Sequence, residues 1–204
     1  MIKETFIQLV SNYSSDNRLI KQLWEEIEEN YSIKKRHYHT LQHLQNLLQQ
    51  LCEVKEHITE WNTVLFTLYY HDVIYNALKR TNEEKSAEFA LSRMTLIAAP
   101  NTMIENSVKQ ILATKDHAAC DDSDTNYFTD ADLSILGQQW DVYTEYYKNV
   151  RKEYSLYPDI IYIPGRKKVL QHFLQMERIF KTGYFFDKYE MQAKENVQRE
   201  LEML

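Results

Sequence analysis

Glycine and proline are scarce in this chain, which has only three of each among its 204 residues. Average usage of roughly 7% glycine and 5% proline would give several times more of both. Hairpins and sheets need glycine in their tight turns, whereas long helices do not. The scarcity therefore argues against a β architecture and predicts an all-α fold. The length suits one domain with a substantial core.

Cysteine and long apolar runs are also rare. The two cysteines, Cys52 and Cys120, form no CxxC pair of the kind that binds metal. Because the first residues do not read as a signal peptide, we expect reduced thiols in a cytoplasmic protein, with a single disulfide as the alternative. No apolar stretch approaches the roughly 20 residues that span a bilayer, so we expect no membrane association.

The chain has no long basic run, and its formal net charge is −6. Binding to nucleic acid usually depends on clustered lysine and arginine side chains, which neutralise phosphate groups. We therefore expect no nucleic-acid partner. A few local basic side chains are still sufficient to hold a small anionic substrate.

Apolar residues recur at helical spacing along most of the chain. Asp16 is expected to cap the second helix and Asn82 the fifth. We expect residues 121–126 to be polar and exposed and residues 158–165 to form a loop. The last helix is amphipathic, so it can pack on the core or on a second subunit in a homodimer. The predicted helices are 3–12, 16–30, 39–54, 61–76, 82–97, 100–115, 128–136, 138–156, 165–180 and 186–203.

Two histidines, His39 and His43, lie in the first turns of the predicted helix 39–54. At about 100° per residue they are about 40° apart around the helix axis. His43 borders the leucine stripe that such a helix would bury, and His39 lies further toward solvent. This arrangement fits a metal ligand at the floor of a cleft with a second histidine above it. An amphipathic helix with two flanking histidines also fits.

The adjacent pair His71-Asp72 interrupts the apolar run of the predicted helix 61–76. An unpaired carboxylate in such surroundings would be costly or would change its pKa strongly. Either a buried lysine, arginine or histidine pairs with Asp72, or a metal ion compensates both side chains. Neutral imidazole with carboxylate suits Zn, Fe, Mn or Ni, and carboxylate-rich variants accept Mn or Mg.

A second acidic position, Asp132, follows further along the chain. The order His43, His71-Asp72, Asp132 resembles the H…HD…D signature of the HD-domain superfamily of metal-dependent phosphohydrolases. Residues 38–43 are similar to the YHxxxH segment of cyclic-nucleotide phosphodiesterases, which are distant members of that fold. Residues 131–134 are similar to their ADLS segment.

A larger part of the chain, about residues 20–200, is similar to a bacterial family of predicted HD phosphohydrolases. The matching segments are RHYH at 36–39, NEExSA at 82–87, ATKxH at 113–117 and DADLSILG at 130–137. Each short segment is weak alone, but their order and spacing together are specific.

The resemblance implies an HD-domain helical bundle, with a metal-site core at about 36–136 and C-terminal helices at 138–204 packed on it. It implies a divalent cofactor (Mn, Mg, Ni, Co, Fe or Zn) and a general acid, His39, that protonates the leaving oxygen. The aromatic-and-glutamine nucleotide pocket of the phosphodiesterases has no match here, so cyclic nucleotides are not implied. The implied metal ligands are His43, His71, Asp72 and Asp132.

Basic residues elsewhere are candidates for contacts with a substrate. Lys115 or an arginine would stabilise the charge that develops on the substrate. His117 and Arg36 would hold a second metal ion or a phosphate group, although His117 also fits a surface loop. Arg151 and Arg166 are further candidates for phosphate contacts, since a guanidinium group matches phosphate oxygens.

Three acidic residues have two interpretations each. Glu83 and Glu84 open the predicted helix 82–97, where the helix dipole favours acids. Through the resemblance they would also orient water or the groups next to the metal ligands. Asp130 is outside the basic signature, so it either caps a helix or supports a ligand.

The sequence thus predicts an enzyme that hydrolyses a small phosphate ester, with a nucleotide as one candidate substrate. Water activated by the metal would attack phosphorus, while His39 would protonate the leaving group. One alternative is a di-iron oxygenase of the HD type, although His117 is the only obvious extra ligand. The other is a non-catalytic sensor that binds a nucleotide or a metal ion.

Overall fold

The computed structural model describes residues 1–204, and every regular element in it is helical, so the predicted all-α class is confirmed. Two short 3₁₀ turns, Lys55–His57 and Ser134–Gly137, accompany ten α-helices. No helix combines the length and the apolar composition needed to cross a bilayer. The α-helices are α1 (Ile2–Ser11), α2 (Asn17–Tyr31), α3 (Leu41–Glu53), α4 (Trp61–Tyr70), α5 (Asn82–Leu96), α6 (Asn101–Ala113), α7 (Ser123–Leu133), α8 (Trp140–Glu153), α9 (Asp159–Gln175) and α10 (Gly183–Met203).

The chain divides into two compact units, Met1–Thr129 and Asp130–Leu204. The boundary falls inside α7, so that this helix begins in the first unit and ends in the second. That the whole chain forms one HD-type domain stays a prediction.

Helix α4 is the central element of the first unit. Every residue from Thr63 to Tyr70 is buried, and α1, α3, α5 and α6 all pack against this helix. A helix that is apolar on all sides needs such coverage, because an exposed face would leave large side chains in water. The buried hydroxyl group of Thr67 is satisfied by Gln110 Oε1 at 2.7 Å.

Helix α4 ends at Tyr70, earlier than the predicted end at residue 76. Beyond that point a side chain of α5 replaces the helical partners, because the Ile74 N–H donates to Ser86 Oγ at 3.1 Å. The Ile74 carbonyl oxygen in turn accepts from the same hydroxyl group at 3.2 Å. His71 and Asp72 therefore lie at the end of the buried helix and not in its middle.

The two predicted helix caps have different outcomes. Asp16 caps α2 as predicted, since its carboxylate accepts hydrogen bonds from the N–H groups of Arg18 (2.9 Å) and Leu19 (3.2 Å). The prediction for α5 is wrong, because Thr81 occupies the cap position. Asn82 is the first residue inside the helix, where its side chain bonds to the backbone of the preceding turn.

The prediction that residues 121–126 are exposed is wrong at Asp124, because α7 begins at Ser123 and buries this carboxylate. Asp124 accepts hydrogen bonds from the N–H groups of Thr59 (2.9 Å) and Glu60 (2.7 Å). These backbone groups lie just before α4, and the buried carboxylate is their hydrogen-bond acceptor. Thr59 and Glu60 are far from Asp124 in the chain, so the local sequence does not reveal why this acid is buried.

The predicted loop at 158–165 is also wrong, since α9 begins directly after Pro158. Pro164 lies inside the helix, where it has no N–H to donate to the carbonyl group of Ile160. Ile160 is 83% exposed, so water can bond to this carbonyl group. One lost helical bond is tolerated at such a surface position.

The second unit is organised around α10, which packs along α9 and against the 3₁₀ turn Ser134–Gly137. A buried ion pair joins the two helices: Arg166 Nε and Nη2 donate to the two carboxylate oxygens of Glu200 at 2.7 and 2.8 Å. Tyr143 of α8 donates its hydroxyl proton to the same carboxylate at 2.5 Å. A buried pair is tolerated when its hydrogen bonds are satisfied in this way.

Gly137 is the point of closest approach between the 3₁₀ turn and α10. A Cβ atom added to it would lie 2.5 Å from Cβ and 2.8 Å from the backbone oxygen of Tyr189. Gly165, inside α9, has no atom within 4 Å of such a position. The two glycines therefore differ in function: one permits close packing, and the other only lowers helix propensity.

Replacing these glycines by alanine should change stability in opposite directions. Gly137→Ala should lower the free energy of unfolding by about 2 kcal/mol, because backbone and Cβ atoms must move apart. Gly165→Ala should raise it by about 0.5–1 kcal/mol, since alanine is the better helix former. Urea unfolding followed by circular dichroism measures both. Equal effects of the two substitutions would contradict this packing.

Candidate metal centre

Helix α3 carries His43 at the edge of its buried face. Leu44, Leu47, Leu48 and Leu51 of the same helix are almost fully buried, and His43 itself is 5% exposed. The leucine spacing predicts this position, because residues three and four apart share one face of a helix.

His39 lies outside α3, so the helical geometry predicted for the two histidines is wrong. Thr40 has an extended backbone and occupies the cap position, and the helix begins only at Leu41. The His39 ring is held by packing instead: it stacks on Tyr75 with ring centroids 4.2 Å apart and meets Tyr38 edge-on at 4.9 Å. Its side chain is 19% exposed, so a solute can reach it.

His71 is oriented by the last turn of α4. Its Nδ1 lies 2.9 Å from the carbonyl oxygen of Leu68, and a carbonyl oxygen only accepts hydrogen bonds, so Nδ1 carries the proton. In a neutral ring, Nε2 is then left with its lone pair. This atom points at Nε2 of His43, 3.1 Å away.

Asp72 brings one carboxylate oxygen close to three imidazole rings. Its Oδ2 lies 3.2 Å from Nε2 of His71, 3.9 Å from Nε2 of His43 and 3.8 Å from Nε2 of His39. His43 and His71 are buried, whereas the Asp72 side chain is 18% exposed. The predicted proton donor, His39, and three of the predicted metal ligands therefore converge on one point.

Asp132 lies near the end of α7. Phe128 of this helix contacts the His71 ring edge-on, with centroids 5.6 Å apart. Asp132 follows four residues later, which places it on the same helix face one turn further on. One carboxylate oxygen of Asp132 and one ring nitrogen each of His43 and His71 all lie within 4.8 Å of one another. This group could hold a metal ion.

The donor atoms of the group fit a divalent cation. Nε2 of His71 and Oδ2 of Asp72 are both acceptors in the neutral-ring state, yet they are only 3.2 Å apart. Acceptors in such close contact need a proton or a metal ion between them. Imidazole with carboxylate is a ligand set for Zn, Fe, Mn or Ni. Without a metal, the same residues would form a buried, hydrogen-bonded His–Asp cluster.

Arg36 lies beside the cluster but has backbone partners. It is 6% exposed, and its guanidinium N–H groups donate to the carbonyl oxygens of His39, Asp72 and Val73 at 3.2, 2.7 and 2.8 Å. The sequence predicts a contact with phosphate or a second metal, and this role stays a prediction.

Lys115 and His117 lie outside the group of three ligand residues. Lys115 Nζ pairs with the Glu84 carboxylate, and this hydrogen bond raises the pKa of Lys115. Its Nζ is also 3.3 Å from the carbonyl oxygen of Arg80. His117 follows the end of α6 with φ +53°, a left-handed backbone. Glu84 thus has a basic partner as well as its position in the first turn of α5, next to Glu83.

Asp130 bonds to the backbone of the segment before α10, and whether it also supports a ligand stays a prediction. In the second unit, its carboxylate accepts hydrogen bonds from the N–H groups of Lys181 (3.0 Å) and Thr182 (2.7 Å), just before α10. The two arginines considered for phosphate contacts also have carboxylate partners in that unit. Arg166 pairs with Glu200, and Arg151 pairs with Asp159 at 2.7 Å.

Sequence reasoning does not find three contacts that shape the centre. These are the Leu68 carbonyl that fixes the His71 ring, the Tyr75 ring that stacks on His39, and the carbonyl partners of Arg36. Carbonyl groups carry no side-chain signal, so only the folded backbone reveals two of them. Tyr75 follows the HD pair closely in sequence, which is the one available hint.

Comparisons with models of protein families, with curated proteins and with solved structures found no match. The likeness to the HD-domain superfamily therefore stays a prediction from the motifs. What the structure adds is a His43–His71–Asp132 group that could hold a metal ion.

Loss of His71 should abolish tight metal binding. His71→Ala removes a central ligand, so the affinity for Zn²⁺ or Mn²⁺ should fall by more than the roughly 10–100-fold that loss of an outer partner costs. Isothermal titration calorimetry measures this. His172→Ala, at an exposed position of α9, is the matched control and should bind as the unchanged protein does. Equal affinity of the two variants would show that the cluster is not a metal site.

Proposed function

We propose that this protein is a metal-dependent phosphohydrolase that acts on a small phosphate ester or a nucleotide. The observation that supports the proposal is the convergence of three imidazole rings on one carboxylate oxygen of Asp72. The order His43, His71-Asp72, Asp132 along the chain resembles the H…HD…D signature. A cytoplasmic location and a homodimer are further proposals, with no role in the chemistry.

In this proposal His43, His71, Asp72 and Asp132 would hold the divalent cation. When bound, it would lower the pKa of a water molecule from about 15.7 toward 7 and polarise a phosphoryl oxygen. The buried rings of His43 and His71 would keep bulk water from one side of the site. Asp72, which is partly exposed, would face the substrate side.

His39 would donate a proton to the leaving oxygen. It is the most exposed of the three histidines that face Asp72, so it is the one that a substrate can approach. Its ring stacks on Tyr75, so fewer ring orientations are available and less entropy is lost when the ring is aligned for proton transfer. Lys115 has no assigned role here, because Glu84 already balances its charge.

The di-iron oxygenase is less well supported than the hydrolase. Such sites carry additional histidines around two irons, and His117, the obvious extra ligand in the sequence, lies outside the group of mutually close ligand atoms. The geometry thus offers one compact ligand group, which a single-ion hydrolase site requires. Catalytic turnover distinguishes the hydrolase from a sensor, because a sensor would bind its ligand without forming a product.

Metal-dependent phosphate release should disappear when Asp72 is removed. A screen of phosphate esters and nucleotides with Mn, Mg, Ni, Co, Fe or Zn should identify a substrate for the unchanged protein. Asp72→Ala should then lower the rate to the background, because a ligand and the acceptor facing His39 are both lost. Asp121→Ala, at an exposed position before α7, is the control. Full activity of Asp72→Ala would refute the assignment.

The proton-donor role of His39 predicts a dependence on the leaving group. His39→Ala should slow hydrolysis of an alkyl phosphate by about 10²–10⁴-fold. Hydrolysis of p-nitrophenyl phosphate should slow much less, since p-nitrophenolate leaves without a proton. Steady-state rates for the two esters, measured at one pH, give the ratio. An equal loss with both esters would assign His39 to binding and not to proton transfer.

A further inference from the structure

We propose that Arg36 is the positioning residue of the candidate metal centre, because its guanidinium group holds the backbone of His39 and of Asp72 together. The inference rests on the proposed function, and it identifies which residue sets the distance between the proton donor and the carboxylate. That distance is 3.8 Å between His39 Nε2 and Asp72 Oδ2.

His39 and Asp72 need such a residue because no helix fixes them. His43 is part of α3, and the His71 N–H makes the last helical bond of α4, to Thr67. His39 precedes α3, and Asp72 follows α4, so the hydrogen-bond ladders of these helices stop short of both. Two segments far apart in the chain must therefore be joined by something else.

The Arg36 guanidinium joins these two segments. Nη1 donates to the carbonyl oxygens of both His39 (3.2 Å) and Asp72 (2.7 Å), and Nη2 donates to that of Val73 (2.8 Å). A guanidinium group presents its N–H donors in one rigid plane, so three acceptors bound at once fix the relative position of two backbones. An ammonium group is a point charge on a flexible chain and does not reproduce this fork.

Aromatic rings hold the guanidinium group itself in place. Its central carbon lies 4.8 Å from the ring centroid of Tyr31, which is buried, and 5.5 Å from that of Tyr75. Tyr75 in turn stacks on the His39 ring. The guanidinium group of Arg36 with its three carbonyl partners is a clamp between the two segments. Tyr75 contacts both this clamp and the proposed proton donor. A shift of Arg36 would therefore move His39 through the His39 backbone and through the His39 ring.

The alternative is that Arg36 only stabilises the fold. Arg166 supplies a matched control, because it is similarly buried (8% against 6% exposed) and donates hydrogen bonds from Nε and Nη2, but it lies in the second unit. Arg36→Lys and Arg166→Lys should both lower thermal stability. Only Arg36→Lys should alter the metal centre.

Titration with Co²⁺ tests the positioning role of Arg36 without any need for catalytic turnover. Co²⁺ added to the purified protein gives a visible absorption spectrum that reports its ligands. Arg36→Lys should change this spectrum and weaken Co²⁺ binding by about 10–100-fold, the usual effect of losing a group that orients a ligand. Arg166→Lys should keep both the spectrum and the affinity. Unchanged Co²⁺ binding in a folded Arg36→Lys variant would overturn the proposal.

A second variant covers the case in which Arg36→Lys does not fold. Tyr75→Leu removes the ring beside the guanidinium and leaves every ligand in place. It should weaken Co²⁺ binding by about threefold, as expected from the loss of one cation–π contact. If Tyr75→Leu binds Co²⁺ with the affinity and spectrum of the unchanged protein, the clamp does not position the ligands.

The test separates this inference from the proposed function. If the protein binds Co²⁺ but releases phosphate from no ester, the proposed function is refuted. The effect of Arg36→Lys on the Co²⁺ spectrum then still shows whether Arg36 positions the ligands. If the protein hydrolyses a phosphate ester but Arg36→Lys leaves its Co²⁺ spectrum unchanged, the proposed function stands and the positioning role of Arg36 is refuted. A protein that binds no Co²⁺ overturns both.

Discussion

The close approach of two buried imidazole nitrogens governs the candidate centre. Nε2 of His43 and Nε2 of His71 are 3.1 Å apart, and the two rings are 5% and 1% exposed. Because the Leu68 carbonyl oxygen keeps the proton of His71 on Nδ1, its neutral ring has only a lone pair to offer at Nε2. That lone pair can accept a proton from Nε2 of His43, or both nitrogens can bind a metal ion.

The packing of α4 enforces this approach. A helix buried on every side is held by four neighbours, so the residue at its end has little freedom to move away from an unfavourable partner. Asp124 secures the start of α4 through the backbone of Thr59 and Glu60. The same helix, α7, carries Phe128 against His71 and Asp132 one turn later. One helix therefore contacts the backbone before α4 through Asp124 and the ring after its last turn through Phe128.

Much of this arrangement is predictable from the sequence. The scarcity of glycine and proline predicts the helical class, and the leucine spacing of α3 predicts the position of His43. The failures have a common physical cause. The end of α4, the burial of Asp124 and the placement of His39 outside α3 all depend on contacts between residues far apart in the chain. Periodicity reports only neighbours within a few turns, so it cannot reveal such contacts.

The candidate centre combines two kinds of support. Helical backbone holds His43 and orients His71, so these ligands are as rigid as the core around them. His39 and Asp72 are held by one guanidinium group between aromatic rings. The rigid pair faces the core, and the clamped pair faces solvent, where a substrate would arrive. Asp72 belongs to the clamped pair and also lies 3.2 Å from the buried His71 ring. A change at the guanidinium group would therefore act on the buried rings as well as on the side that a substrate would approach.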